Sequence, residues 1–90
     1  MKTVILDAAK LDGMRGVHEI FRDTLGFPDY YGYNLDALYD CLTDLHEDTE
    51  LRVVHGKALE ERLGLYVGVL RRMLGDACEE NPRLRLVWEE

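Results

Sequence analysis

Apolar residues recur along this 90-residue chain with more than one period, and the periods divide it into elements. Thr3-Val4-Ile5-Leu6 is a continuous apolar run, suited to a strand covered on one or both faces. Met14, Val17, Phe21 and Leu25 then recur at helical spacing, with Asp12 placed to cap the start and Gly26 and Pro28 to end the helix. Gly13 and Gly16 weaken its first turn. A loop from Phe27 to Tyr33 follows, and Asn34 is a good N-cap for the next helix. That second helix sorts cleanly. At about 100° per residue, Leu35, Leu38, Leu42 and Leu45 fall on one stripe, while Asp36, Asp40 and Thr43 lie opposite and Tyr39 sits on the border.

Further along, Leu51-Arg52-Val53-Val54 reads as a second strand, followed by a break at Gly56. Lys57 to Leu63 reads as a short helix ending near Gly64. Leu65 to Glu79 reads as a longer one, with Tyr66, Leu70, Met73 and Ala77 on one face. Asn81-Pro82 breaks the chain, and Leu84-Arg85-Leu86-Val87-Trp88 is a final strand. The order β-α-α-β-α-α-β predicts an α/β fold with a small parallel sheet and crossover helices. Residues 1–90 form one expected domain, with no repeat, linker or low-complexity tract.

Composition narrows the function classes. A chain with 47% hydrophobic residues buries a core, but at 90 residues it has little room for an enclosed active site. The N-terminal apolar run is far too short for a signal-peptide core, and no segment approaches a membrane span, so a cytoplasmic protein is expected. Cys41 and Cys78 lie in helical patterns without ligand spacing and read as reduced core or boundary residues. The net charge of −7 argues against nucleic acid as the direct ligand, because phosphate binding needs clustered bases.

The charge is also uneven. From Asp23 through Leu51 there are eight acids (Asp23, Asp29, Asp36, Asp40, Asp44, Glu47, Asp48 and Glu50) and no Lys or Arg, a local charge of −8. The remaining residues carry ten acids and eleven bases, or +1. Such a one-sided field points to a basic partner. Asp36 and Asp40 form an i,i+4 like-charge pair, which costs a helix a few tenths of a kcal/mol. Asp36 recovers part of that from the helix N-terminus, but Asp40 is too far along. A structural cost with no structural return is a hint of function.

The segment Leu25-Gly26-Phe27-Pro28-Asp29-Tyr30-Tyr31-Gly32-Tyr33-Asn34-Leu35-Asp36-Ala37-Leu38-Tyr39-Asp40-Cys41-Leu42-Thr43 closely resembles the barstar family of intracellular ribonuclease inhibitors. The matching elements are a leucine and proline before Tyr-Tyr-Gly, then Asn-Leu-Asp-Ala-Leu, an aromatic, and Asp-Cys-Leu-Thr. The resemblance implies a two-layer α/β fold with a three-stranded parallel sheet and about four helices. It also implies that the loop and second helix plug the basic active-site cleft of a barnase-class ribonuclease or related nuclease toxin, one-to-one. Carried over by position, the partner-binding set is Tyr30, Asp36, Tyr39, Asp40 and Thr43, with Asp40 at the dominant position. Asp76, near the end of the last long helix, is the nearest equivalent of a later acidic contact. Tyr39 stands where the family has Trp, Tyr33 replaces an acidic residue, and Asp44 and Leu45 replace a Gly and a Trp of the contact rim.

Within the loop, Tyr30 is assigned to the partner, Tyr31 to the fold, and Gly32 to the backbone geometry of the turn. His18, His46 and His55 are far apart and read as exposed or locally bonded. Asp44, Glu47, Asp48 and Glu50 lack the alternation and the Gly of a calcium loop and read as a solvated acidic rim, with Asp44 close enough to join the contact. Arg71 and Arg72 read as a surface pair. Cys41, His46 and a nearby Asp could be drawn as a nucleophile set, but no Gly-rich oxyanion loop accompanies them. No enzyme activity, cofactor or metal is therefore expected. The alternative reading of the same acidic face is a protein–protein interaction module for a basic partner that is not a ribonuclease.

Overall fold

A computed structural model describes residues 1–90. The chain runs β1 (Lys2–Asp7), a 3₁₀ turn (Ala8–Lys10), α1 (Met14–Leu25), α2 (Leu35–Thr43), β2 (Thr49–Val54), α3 (Gly56–Leu63), α4 (Tyr66–Glu80) and β3 (Leu84–Trp88). The three strands are parallel in the order β1-β2-β3, so each neighbouring pair is joined by a crossover of two helices. This is the expected α/β architecture, with four α-helices beside one three-stranded parallel sheet.

The sheet is covered on one face. Val4 and Leu6 of β1, and Thr49, Leu51 and Val53 of β2, are buried, whereas Thr3 and Ile5, which alternate with the β1 pair, are exposed. Register sets Val4, Leu51 and Leu86 side by side, with Leu6, Val53 and Trp88 as the next inward row. Alternation of period two is unusual for parallel strands, which commonly have helices on both faces. Here it makes the domain two-layered. Val17, Phe21, Leu38, Leu42, Leu59, Leu70 and Leu74 fill the space between sheet and helices, each with no exposed surface. Every helix thus contributes to the core. Gly56 opens α3 against β3, where an added Cβ would meet Trp88 Nε1 at 2.4 Å.

Several details differ from the pattern-based expectation. Asp12 does not cap α1: Gly13 occupies that place without a side-chain bond, and Asp12 is exposed and pairs with Arg62 at 3.5 Å. The core side of α4 is Leu70, Leu74 and Ala77 with Met73 at its edge, while Tyr66 in the first turn is 54% exposed. β1 and β2 are also longer than their apolar runs, because polar Lys2, Thr49 and Glu50 join the ladder. Arg71 and Arg72 are not an equivalent surface pair. Arg71 lies over the Trp88 ring at 4.5 Å and reaches Glu90, whereas Arg72 lines a groove described below.

Candidate functional site

The loop between α1 and α2 is shaped by its tyrosines. Gly26 ends α1 in the left-handed region (φ 69°), the conformation that favours glycine at a helix C-terminus. Tyr31 then turns inward, 7% exposed, packs at a tilt against Phe27 with centroids 5.0 Å apart, and shares a hydrogen bond with His18 Nδ1 on α1. Tyr30 points the other way and is 87% exposed. The left-handed residue within the loop is Tyr33 (φ 53°), not Gly32. Arg22 Nη1 donates to the Tyr33 hydroxyl, and the guanidinium groups of Arg15 and Arg22 lie 5.4 and 5.5 Å from its ring centre. Those contacts hold a backbone conformation that a bulky residue rarely adopts. Gly32 is small for a different reason than turn geometry: a Cβ there would come within 2.9 Å of the Asn34 amide.

Asn34 joins loop to helix. Its Oδ1 accepts from the Ala37 backbone N–H at 2.8 Å, and its Nδ2 donates to the Gly32 carbonyl at 3.2 Å. From that start the leucine stripe packs α2 down: Leu38 and Leu42 are fully buried, Leu35 and Leu45 partly so. The opposite face therefore points outward, and Asp36 and Asp40 are exposed on it. At the other end, Asn81 Nδ2 donates to the carbonyls of Leu42 and Leu45 at 2.9 and 3.0 Å. Thr43 Oγ1 contacts the Tyr39 and Asp40 carbonyls, which leaves its lone pairs free to accept.

All seven residues singled out as contacts line one of two open grooves along α2. Tyr30, Asp40, Thr43 and Asp44 share the first, of about 540 Å³, with Pro28 and Cys41. Asp36, Tyr39 and Asp76 share the second, of about 310 Å³, with Val69, Arg72 and Met73 from α4. The pattern-based set omits these α4 residues, and Asn81 as well. No signal in the local sequence connects them to α2, because their partners are roughly thirty to forty residues away.

The acidic window is less uniform than its composition implies. Glu47 pairs with Lys2, Asp48 with Arg83, Glu50 with Arg52 and Asp23 with Arg22, so the rim beyond Asp44 is largely compensated. Asp29, Asp36, Asp40 and Asp44 make no ion pair. The physical reason is register. Lys2, Thr49 and Leu84 lie abreast in the sheet, which brings Lys2 and Arg83 beside the residues that enter β2. Each such surface pair adds little stability, but together they focus the remaining negative charge on the loop and α2.

Burial pushes the Tyr31 hydroxyl well above its ordinary range. The Cys41 thiol is raised by burial first and then by Asp40 and Asp44, the reverse of what a nucleophilic thiolate needs. No three His, Cys, Asp or Glu side chains gather into a metal-binding group, and no helix is long and apolar enough to cross a membrane. Burial holds His18 below its ordinary value of 6.5. As pH falls through that value, the unfolded chain takes up a proton that the folded chain does not, so stability declines with falling pH and is fully present above it. Urea unfolding between about pH 8 and pH 5 is expected to show this decline, and His18→Gln to flatten it. Equal slopes for the two proteins would contradict it.

A family model described as Barstar (barnase inhibitor) matches residues 1–88. A stretch of 43 residues, 48% of this chain and 47% of the relative, is 49% identical to the Bacillus subtilis (strain 168) protein named "Putative ribonuclease inhibitor YrdF". The chain spans about half the length of the curated relative it matches.

Proposed function

Because the chain belongs to the Barstar family, a family of inhibitors and not of enzymes, we propose that it inhibits a small ribonuclease one-to-one. In this reading α2 and the aromatic loop plug the basic cleft of a barnase-class ribonuclease or related nuclease toxin. The observation that carries the reading is the outer face of α2, where Asp36 and Asp40 stand exposed and without an ion pair in their own chain. A cleft built for RNA phosphates presents Arg, Lys and His donors, and carboxylates accept the same charge-assisted hydrogen bonds as phosphate oxygens. Asp40 is the central contact, and Asp36 lies one turn closer to the helix N-terminus. Tyr30 and Tyr39 supply apolar area with few rotors, and Thr43, Asp44 and Asp76 bind at the edges. Nucleic acid is not a direct ligand. The protein acts in the cytoplasm and protects the cell that makes the nuclease.

Charge complementarity of this kind chiefly speeds encounter and fixes orientation. Association with the ribonuclease is therefore expected to slow by roughly tenfold or more between about 10 mM and 150 mM salt. Stopped-flow rates that stay flat across that range would contradict the steering role of the four unpaired carboxylates. A basic partner that is not a ribonuclease would give the same salt dependence without loss of RNA cleavage, which separates the two readings of the face.

A further inference from the structure

Three apolar side chains at the start of α4 have no work inside the fold. Leu65 is 97% exposed, and Tyr66 and Val69 are 54% exposed each. Tyr66 and Val69 form a ridge beside α2: Tyr66 lines a cleft with Leu35 and Asp36, and Val69 lines the neighbouring groove with the same two residues. Leu35 and Asp36 thus belong to both depressions, and the ridge continues the α2 face without a break. We propose that Tyr66 and Val69, flanked by Leu65, are a second contact for the ribonuclease. They would receive apolar side chains that border its basic cleft and so help to set which nuclease is recognised. The inference rests on the reading of α2 as the inhibitory face.

Continuity with the α2 face favours the nuclease as occupant. A stable complex commonly uses about 20–30 residues on each side, more than the seven contact residues of the loop, α2 and α4 supply. The ridge is the apolar surface contiguous with them. The charges that edge it balance, Asp36 and Asp76 against Arg15 and Arg72, so the ridge offers apolar area and leaves the charge contact to the outer face of α2.

The test is the double variant Tyr66→Ser/Val69→Ser, titrated beside Asp40→Ala against barnase or whichever barnase-class ribonuclease the wild type inhibits. Both substituted positions are exposed, and circular dichroism and thermal unfolding check that the fold persists. The double variant is expected to bind roughly tenfold or more weakly, chiefly through faster dissociation, with the salt dependence of association unchanged. An unchanged dissociation constant for the double variant with weakened Asp40→Ala binding would overturn the ridge alone. Unchanged binding in both variants, or a wild type that inhibits no ribonuclease of a barnase-class panel, would overturn the inhibitory face and the ridge together. A wild type that sediments as a dimer and a double variant that sediments as a monomer would assign the ridge to a second copy and overturn the proposal.

Discussion

Replacing Asp40 with alanine is expected to weaken ribonuclease binding by at least ~2 kcal/mol, roughly thirtyfold, without loss of the fold. Asp40 is exposed, has no ion pair and lies midway along the outer face of α2, lining the groove it shares with Tyr30, Thr43 and Asp44. Its removal takes nothing from the core. Alanine is the better helix former, and the substitution relieves the like-charge pair with Asp36, so stability should stay level or rise by a few tenths of a kcal/mol. Binding and stability are then expected to move in opposite directions, which a merely structural residue would not do. Titration calorimetry with thermal unfolding on the same sample reads both. An unchanged dissociation constant with an intact circular dichroism spectrum would remove Asp40 from the contact.

Asn81→Ala should produce the largest loss of stability among the site's supporting residues, about 2–4 kcal/mol. The side chain is 6% exposed and donates to two carbonyls at the end of α2, and its Oδ1 accepts from the Arg83 backbone N–H at 3.1 Å. Alanine leaves these groups without partners in a place that water reaches poorly. The end of α2 has little other support. Its last turn contains no basic residue, and Asp44 follows at the negative end of the helix dipole. A chain of this size has a total stability on the order of 5–13 kcal/mol, so the loss is a large share of it. The same change should loosen Thr43 and Asp44 and weaken inhibition at temperatures where the protein remains folded. Urea unfolding measures the first effect. A midpoint equal to that of the wild type would show that Asn81 is dispensable.

Local features of the fold and of α2 are legible in the sequence, because the residues responsible are neighbours. Asn34 caps α2 as its position predicts, and the leucine stripe faces inward. Gly26, Gly64 and the Asn81-Pro82 pair fall at breaks between elements, whereas Gly56 is the first residue of α3 and the break lies at His55. Tyr31 lies inward and Tyr30 outward, but the group that holds the Tyr31 hydroxyl is His18, thirteen residues back on α1. What escapes is everything that depends on which distant residues meet. Asn81 reads as a helix breaker, yet its amide holds the end of another helix. Glu47, Asp48 and Glu50 read as uncompensated charge until strand register brings Lys2, Arg83 and Arg52 beside them. Tyr66 fits a helical core period, but a period says nothing about whether a neighbour covers that turn. Tyr33 is the instructive case. Its left-handed backbone would be assigned to the adjacent glycine, and the two arginines that hold it lie on α1, before the loop.

If this face blocks a ribonuclease active site, RNA cleavage by a barnase-class ribonuclease titrated with this protein reads the block most directly. Activity is expected to fall linearly to near zero at one equivalent, as for tight one-to-one inhibition. Cleavage that stays constant in excess protein, across a panel of such ribonucleases, would contradict it.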